Sequence, residues 1–226
     1  HIVTAAITSV QNIVRCINKA GFGISDIVLE SIASSSALLN DEEKEIGVAV
    51  VDIGGGTSDI AIFIDGSIRH TAVIALGGEQ VTNDIAIGLR TSRVAAEELK
   101  IKYGCAMTSL IKENEIIEVL GVAGRKSRTL PRAVLAEIIE PRMNEILSLI
   151  KNEIQKSGYE DFLAAGIVMT GGASSLEGME NIAEKVFNIP IRIGTPVNVR
   201  GLIDIISTPQ YSTSVGLVLY GMDKLQ

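Results

Sequence analysis

One stretch constrains this chain more than any other: Val48-Ala-Val-Val-Asp-Ile-Gly-Gly-Gly-Thr-Ser-Asp-Ile-Ala-Ile-Phe-Ile64. A β-branched apolar run ends on an acid, crosses three glycines and a hydroxyl, and resumes as a second alternating run. That pattern predicts two antiparallel strands joined by a glycine turn. Three glycines in a row also let several backbone N–H groups converge on one point, which suits a phosphate chain. Asp52 ends the first strand beside that turn. A carboxylate there would repel bare phosphate, so its chemistry points to Mg²⁺ or the waters of Mg²⁺. Thr57 can donate from both hydroxyl and backbone, whereas Asp59 can accept from the N–H groups of the turn itself. An ordinary hairpin with a loose turn would share this pattern, so the rest of the chain has to decide.

With 226 residues, 46% of them apolar, the chain can build a sizeable core. No uncharged apolar run approaches the roughly 20 residues of a membrane-spanning helix. A net charge of −7 argues against nucleic acid as the main ligand. Two histidines exclude a His-rich metal site or a Ser-His-Asp triad, and Cys16 and Cys105 form no disulfide or zinc framework. The chain opens at His1, in what reads as mid-helix, and is expected to be a fragment. Apolar spacing predicts a helix over 2–20, a short strand over 26–29, a small-residue helix over 32–39 and a charged loop over 40–45. Strands follow over 47–51, 59–64 and 68–76, then helices over 79–88 and 92–102. Weak strand alternation occupies 106–124, and a long helical pattern over 131–157 carries Pro141, which is expected to bend or split it. A strand at 165–169, a helix at 175–187, a strand at 190–194 and a helix near 212–221 complete an α/β chain. The expected division is 1–42 as helices and connector, 43–90 with 164–226 as a β-rich core, and 91–163 as a mostly helical insertion.

Two further signals carry chemistry. Gly166-Ile-Val-Met-Thr-Gly-Gly-Ala-Ser-Ser175 is an apolar strand that ends in a glycine pair at a helix start. The pair lets a flat ring or ribose lie against the backbone, and the helix end offers N–H groups to an anion; a plain strand-to-helix connection would look the same. Glu97 and Lys100, three apart on one helix face, could straddle ribose hydroxyls or form an ordinary solvated ion pair.

In this order, a strand-GGGT-strand motif, a Glu-x-x-Lys helix and a strand-Thr-Gly-Gly-Ala motif resemble the actin and heat-shock-chaperone ATPase superfamily. Within it the chain is most similar to the FtsA family of bacterial cell-division proteins. The likeness rests on Val51–Asp59, Arg69-His70, Tyr103-Gly-Cys-Ala106, Ala136-Glu-Ile-Ile-Glu-Pro-Arg142, Leu163–Ala173 and Tyr211-Ser-Thr-Ser-Val-Gly216. The resemblance implies the second lobe of an actin-like (ribonuclease-H-like) ATPase fold, a mixed sheet flanked by helices with an inserted subdomain. It implies ATP and Mg²⁺ as cofactors, with Asp52, Gly54, Gly55, Gly56 and Thr57 as a phosphate motif and Asp52 managing the metal. Gly77 and Gly78 would form a further phosphate-proximal turn, Glu97 and Lys100 would face the ribose, and Gly171, Gly172 and Ala173 would hold the adenosine. The small-residue helices 30–37 and 211–217 would be interdomain connectors. Glu30 falls where related ATPases place an acid that orients water, and a helix-end cap accounts for it equally well.

The implied function is an ATP-dependent, filament-forming adaptor on the cytoplasmic face of the inner membrane at the division septum. Its partners would be itself, the FtsZ C-terminal tail and other divisome proteins, with the membrane reached through a helix outside this chain. The basic island holding Arg125, Lys126, Arg128 and Arg132 could capture an acidic tail, with the apolar face of helix 131–140 as a groove. The alternatives are a PilM-like pilus scaffold or a chaperone-type ATPase, and more remotely a sugar or acetate kinase.

Overall fold

The computed structural model describes residues 2–121, 126–197, 199 and 203–224. The glycine-centred run forms the expected hairpin, β1 (Val48–Ile53) and β2 (Ser58–Ile64), continued by β3 (Ser67–Ile74). Asp65 and Gly66 make the second turn, both at positive φ. The later strands β6 (Ile167–Thr170) and β7 (Ile191–Ile193) add in parallel beside β1, giving the order β3-β2-β1-β6-β7. Sequence alternation sorts the two faces. Val51, Ile53, Ile60, Ile62, Ile167 and Met169 face one side, while Val48, Val50, Ala61, Phe63 and Val168 face the other. Both faces are covered, which is why β1 reads as an unbroken apolar run.

Helices cover the first face: α4 (Gly78–Gly88), α5 (Arg93–Tyr103), α6 (Arg132–Ser157) and α7 (Met179–Phe187). Leu135, Ile139, Met143, Ile146, Leu147 and Ile150 of α6 are fully buried and supply much of that core. Their full burial is worth about 1.5–3 kcal/mol each. On the other face lies α2 (Glu30–Leu38), with α9 (Ser212–Lys224) crossing it. Gly216 sets that crossing, since a β-carbon there would overlap the Ala33 carbonyl oxygen. The expected small-residue pairing thus exists as a close backbone contact. The mixed sheet flanked by helices expected from the sequence is the observed architecture.

Several local expectations are corrected. The first helix, α1, spans Ile7–Lys19 rather than starting at residue 2, and its Ile7 and Ile13 are exposed. No strand forms over 26–29. The segment 40–45 is not a loop. Asn40 caps α3 (Asp41–Ile46), its side chain accepting from the Glu43 N–H at 2.7 Å while Glu43 accepts from the Asn40 N–H at 3.0 Å. That is a capping box, legible as Asn-x-x-Glu. Pro141 neither ends nor divides α6, which runs unbroken for 26 residues. The basic island contains a strand, β5 (Arg128–Pro131), paired antiparallel with β4 (Ile116–Val119). A short helix, α8 (Ile203–Ile206), precedes α9. Leu99, Ile117, Val119, Leu135 and Leu163 join the same hydrophobic cluster as the sheet. None of the described helices is long and apolar enough to cross a membrane.

Candidate functional site

The two glycine turns meet. The Gly54 N–H donates to the Thr57 carbonyl at 2.9 Å, closing the β1–β2 turn. In return the Gly54 and Gly55 carbonyls accept from the Gly78 and Glu79 N–H groups at 2.9 and 2.8 Å. The turn therefore caps the first turn of α4, satisfying donors that a helix start leaves open. Gly77 makes this approach possible, since a β-carbon there would stand 2.6 Å from both carbonyl oxygens. Because the carbonyls point at α4, the turn's N–H side is left over. Among the described residues, the Gly55 and Gly56 N–H groups have no partner within the protein.

Lys100 braces this assembly from α5. Its ammonium donates to the Gly78 carbonyl at 3.0 Å and the Thr82 hydroxyl at 2.8 Å, and pairs with Glu97 at 2.8 Å. The Thr82 hydroxyl donates to the same Glu97 carboxylate. Burial works to raise the Glu97 pKa, but these Lys100 and Thr82 bonds outweigh it and hold the group below the usual carboxylate range.

Asp52 lies on the α2–α9 side of the sheet. Its Oδ2 accepts from the Ser34 hydroxyl at 2.6 Å and the Thr213 hydroxyl at 3.2 Å. Asp59 sits directly opposite on β2, a cross-strand pairing of like charges that costs stability. Burial pushes Asp52 above the usual carboxylate range against those two hydroxyls. Burial also raises Asp59, with the Asp52 charge adding to it against a bond from Thr57. At the start of α2, Glu30 is raised by burial and then by the charges of Asp59 and Asp52. The three carboxylates thus share one field beneath the glycine turn. Gly171 completes the setting, at φ +87, where a β-carbon would overlap both the Asp52 carboxylate and the Ile53 carbonyl.

A cavity of about 390 Å³ opens between these elements. Of the residues singled out from the sequence, Gly54, Gly55, Gly78, Glu97, Lys100, Arg132, Gly172 and Ala173 line it. Asp52, Gly56, Thr57, Gly77 and Gly171 are not in its lining; they shape the turns and the carboxylate cluster beside it. Sequence reasoning missed Ile101, Lys102 and Gly104 at the end of α5, and Ser175, Leu176, Glu177 and Gln210 on the other wall. Gly104 and Ser175 lie inside stretches already noted, Tyr103-Gly-Cys-Ala106 and Gly166–Ser175, and Leu176-Glu177 directly follow the second.

The described residues of the basic island are not held alike. Arg125 lies outside the described residues. Lys126 is exposed in the loop before β5, and the Arg128 guanidinium donates to the Leu89 carbonyl at 2.7 Å. Arg132 turns away into the cavity wall, held by Glu115 and Glu177. The apolar face of helix 131–140 is no groove either, since Leu135, Ala136 and Ile139 are buried in the core. The spacing was right, but that face was already used for folding.

The family model of cell division protein FtsA matches residues 49–216. Cell division protein FtsA of Pseudomonas aeruginosa is 51% identical over 224 residues, covering 99% of this chain and 54% of that protein. Its Escherichia coli K12 counterpart is 43% identical over 230 residues, covering 99% of this chain and 55% of that protein. The chain therefore spans about half the length of the curated relatives it matches. In architecture it is similar to MreB 5 of Spiroplasma citri bound to AMPPNP, with a TM-score of 0.75 and 18% identity, covering 98% of this chain and 66% of that one. That likeness bears out the actin-like fold, and the match over 49–216 sets aside the pilus-scaffold, chaperone and kinase readings as family assignments. The chain belongs to the FtsA family of cell division proteins.

Proposed function

We propose that this chain carries half of the ATP site of an actin-like division protein that polymerises, ties FtsZ filaments to the inner membrane and recruits other divisome proteins. One observation carries the nucleotide reading: three separate sequence motifs line a single cavity, with the unpaired N–H of Gly55 in its lining and that of Gly56 beside it. The Gly55 and Gly56 N–H groups suit phosphate oxygens, Glu97 suits ribose hydroxyls, and the Gly172-Ala173 backbone suits the flat face of an adenosine. Lys100 acts behind this surface, holding the start of α4 in place. ATP binding rather than rapid turnover is the working output, because nucleotide that touches both lobes of such a fold favours their closure.

The residues fit Mg²⁺ held partly by its waters. Among the described residues no cluster of three His, Cys, Asp or Glu is placed to hold a metal, and Asp52 already has hydroxyl partners on Oδ2. Mg²⁺ needs no protein cage, keeping several waters and taking one or two carboxylates with phosphate oxygens. When bound it would neutralise phosphate charge, with Asp52 orienting its waters.

Binding of ATP to the full-length protein is the test, titrated with Mg²⁺ and with EDTA, in wild type and in Asp52→Asn. The expected result is binding that Asp52→Asn weakens in Mg²⁺ and not in EDTA. A wild type that ignores ATP overturns the nucleotide reading. Cosedimentation with FtsZ filaments, with and without ATP, tests the adaptor role. Charge reversal at Lys126 and Arg128 then asks whether the remaining exposed basic residues contribute; unchanged cosedimentation removes them from the interface.

A further inference from the structure

The cavity lining is chemically mixed. Gly54, Gly55 and Gly78 contribute bare backbone, whereas Arg132 and Glu177 contribute a charged pair. Arg132 is the first residue of α6, and its side chain is only 14% exposed. Its Nε donates to the Tyr103 carbonyl at 2.7 Å, Nη1 to Glu115 at 2.7 Å and Nη2 to Glu177. Its backbone N–H also donates to the Glu115 carbonyl at 2.8 Å. A guanidinium held along three edges has already lost its rotamer freedom, so a ligand that meets it has little left to order. With three of five N–H donors engaged, what it chiefly offers the cavity is a flat cationic face. That is the surface on which an aromatic ring stacks.

Glu177 is held equally firmly. Its backbone carbonyl accepts from the Ala106 N–H at 2.8 Å, and its Oε2 takes Arg132. Among the described residues Oε1 has no partner, and the carboxylate is half exposed. Gly104 lets the end of α5 pack closely beside this pair, since a β-carbon there would stand 2.3 Å from the Lys100 carbonyl oxygen and 2.6 Å from Leu176 Cδ2.

We propose that Arg132 and Glu177 form the base-recognition wall of the cavity. The guanidinium stacks on a purine ring, and the free carboxylate oxygen accepts from an amine at C6. A 6-keto purine would set a carbonyl lone pair against that carboxylate, so the wall favours adenine. This inference rests on the nucleotide reading of the cavity.

The test measures binding of ATP, ITP and inorganic tripolyphosphate to the full-length protein, in wild type, Arg132→Lys and Glu177→Gln. Arg132→Lys keeps the charge and removes the plane. It should lower ATP affinity about tenfold and leave tripolyphosphate unchanged. Glu177→Gln can present either an acceptor or a donor, so it should bring the ATP-to-ITP affinity ratio towards one. Circular dichroism checks folding; if Arg132→Lys does not fold, the ATP-to-ITP ratio of Glu177→Gln decides. Wild-type ATP affinity and an unchanged ATP-to-ITP ratio in the variants overturn this inference and leave the ATP reading standing. Equal losses of ATP and tripolyphosphate also overturn it, because they mark a brace rather than a base contact. A wild type that binds neither ATP nor tripolyphosphate removes the nucleotide reading and this inference together.

Discussion

The neighbouring glycines Gly171 and Gly172 separate fold from site. Gly171 sits at φ +87, and a β-carbon there would overlap the Asp52 carboxylate and the Ile53 carbonyl. At ψ 163 that backbone is in a region essentially reserved for glycine, where an L-residue costs about 1–3 kcal/mol, and overpacking adds about 1–3 kcal/mol. Neither obstacle is the tip of a flexible side chain, because Asp52 is held by Ser34 and Thr213 and Ile53 is strand backbone. Gly171→Ala should therefore lose about 2–6 kcal/mol, a large part of the roughly 5–15 kcal/mol of a typical domain. At about 2–4 °C per kcal/mol for a chain of this size, that is a fall in Tm of about 4–24 °C. At Gly172 a β-carbon meets nothing within 4 Å, yet the residue lines the cavity. Gly172→Ala should leave Tm within about 2 °C and weaken ATP binding. Thermal unfolding by far-ultraviolet circular dichroism, with nucleotide titration of both variants, reads the pair. A stable Gly171→Ala, or a Gly172→Ala as unstable as its neighbour, would refute the reasoning.

Three other substitutions extend the test. Gly216→Ala should destabilise by about 1–2 kcal/mol, because the clash with the Ala33 carbonyl outweighs the gain of about 0.5–1 kcal/mol from helix propensity; a urea midpoint at or above wild type would contradict this. Lys100→Met removes the partner of the Gly78 carbonyl, Thr82 and Glu97 and should cost about 1–3 kcal/mol; an unchanged urea midpoint would show that α4 needs no brace. Asp52→Asn should raise stability at neutral pH without nucleotide or Mg²⁺. Burial raises the folded-state pKa of Asp52, so the folded state binds more protons than the unfolded one and stability falls as pH rises through that window. Asn cannot ionise, so its advantage should be full above the raised pKa and disappear as pH falls to the ordinary Asp range; a gain that grows on acidification would reverse the sign.

Wherever one residue type dictates backbone or face, the fold was legible. The apolar run of Val48–Ile53, the run of Ser58–Ile64 and the glycine turn between them specified the hairpin. The Gly77-Gly78 and Gly171 turns were readable because few other residues tolerate such close approaches, whereas Gly54, Gly55, Gly56 and Gly172 have room for a β-carbon. What the sequence hid depends on tertiary context. Pro141 within α6 looked like a break, yet the buried stripe from Leu135 to Ile154 keeps the helix continuous on both sides of it. The segment 26–29 has strand composition without a strand partner. Arg132 read as part of a basic island open to an acidic tail because its partners, Glu115 and Glu177, lie 17 and 45 residues away in sequence. No local pattern announces a salt bridge of that span.

The cavity is also where the chain departs from what stability alone would choose. Asp52 and Asp59 face each other across β1 and β2, and both are buried. Glu30 adds a third negative charge to the same field. The turn beside them exposes two unpaired N–H groups and spends three consecutive glycines, the residues that lose most entropy on folding. The facing acids and the glycines cost about 0.2–1 kcal/mol each, the exposed N–H groups of the turn are open to water or a ligand, and all of these sit together at one end of an otherwise well-packed sheet. The apolar residues of α6 and β1 can carry that cost, because their burial is extensive and lies away from the turn. The charges are complementary as well as clustered: donors without partners line the turn, and acids without cations lie just beneath it. An anion at the first and a hydrated cation at the second would relieve both at once, which is what a magnesium-bound nucleotide brings.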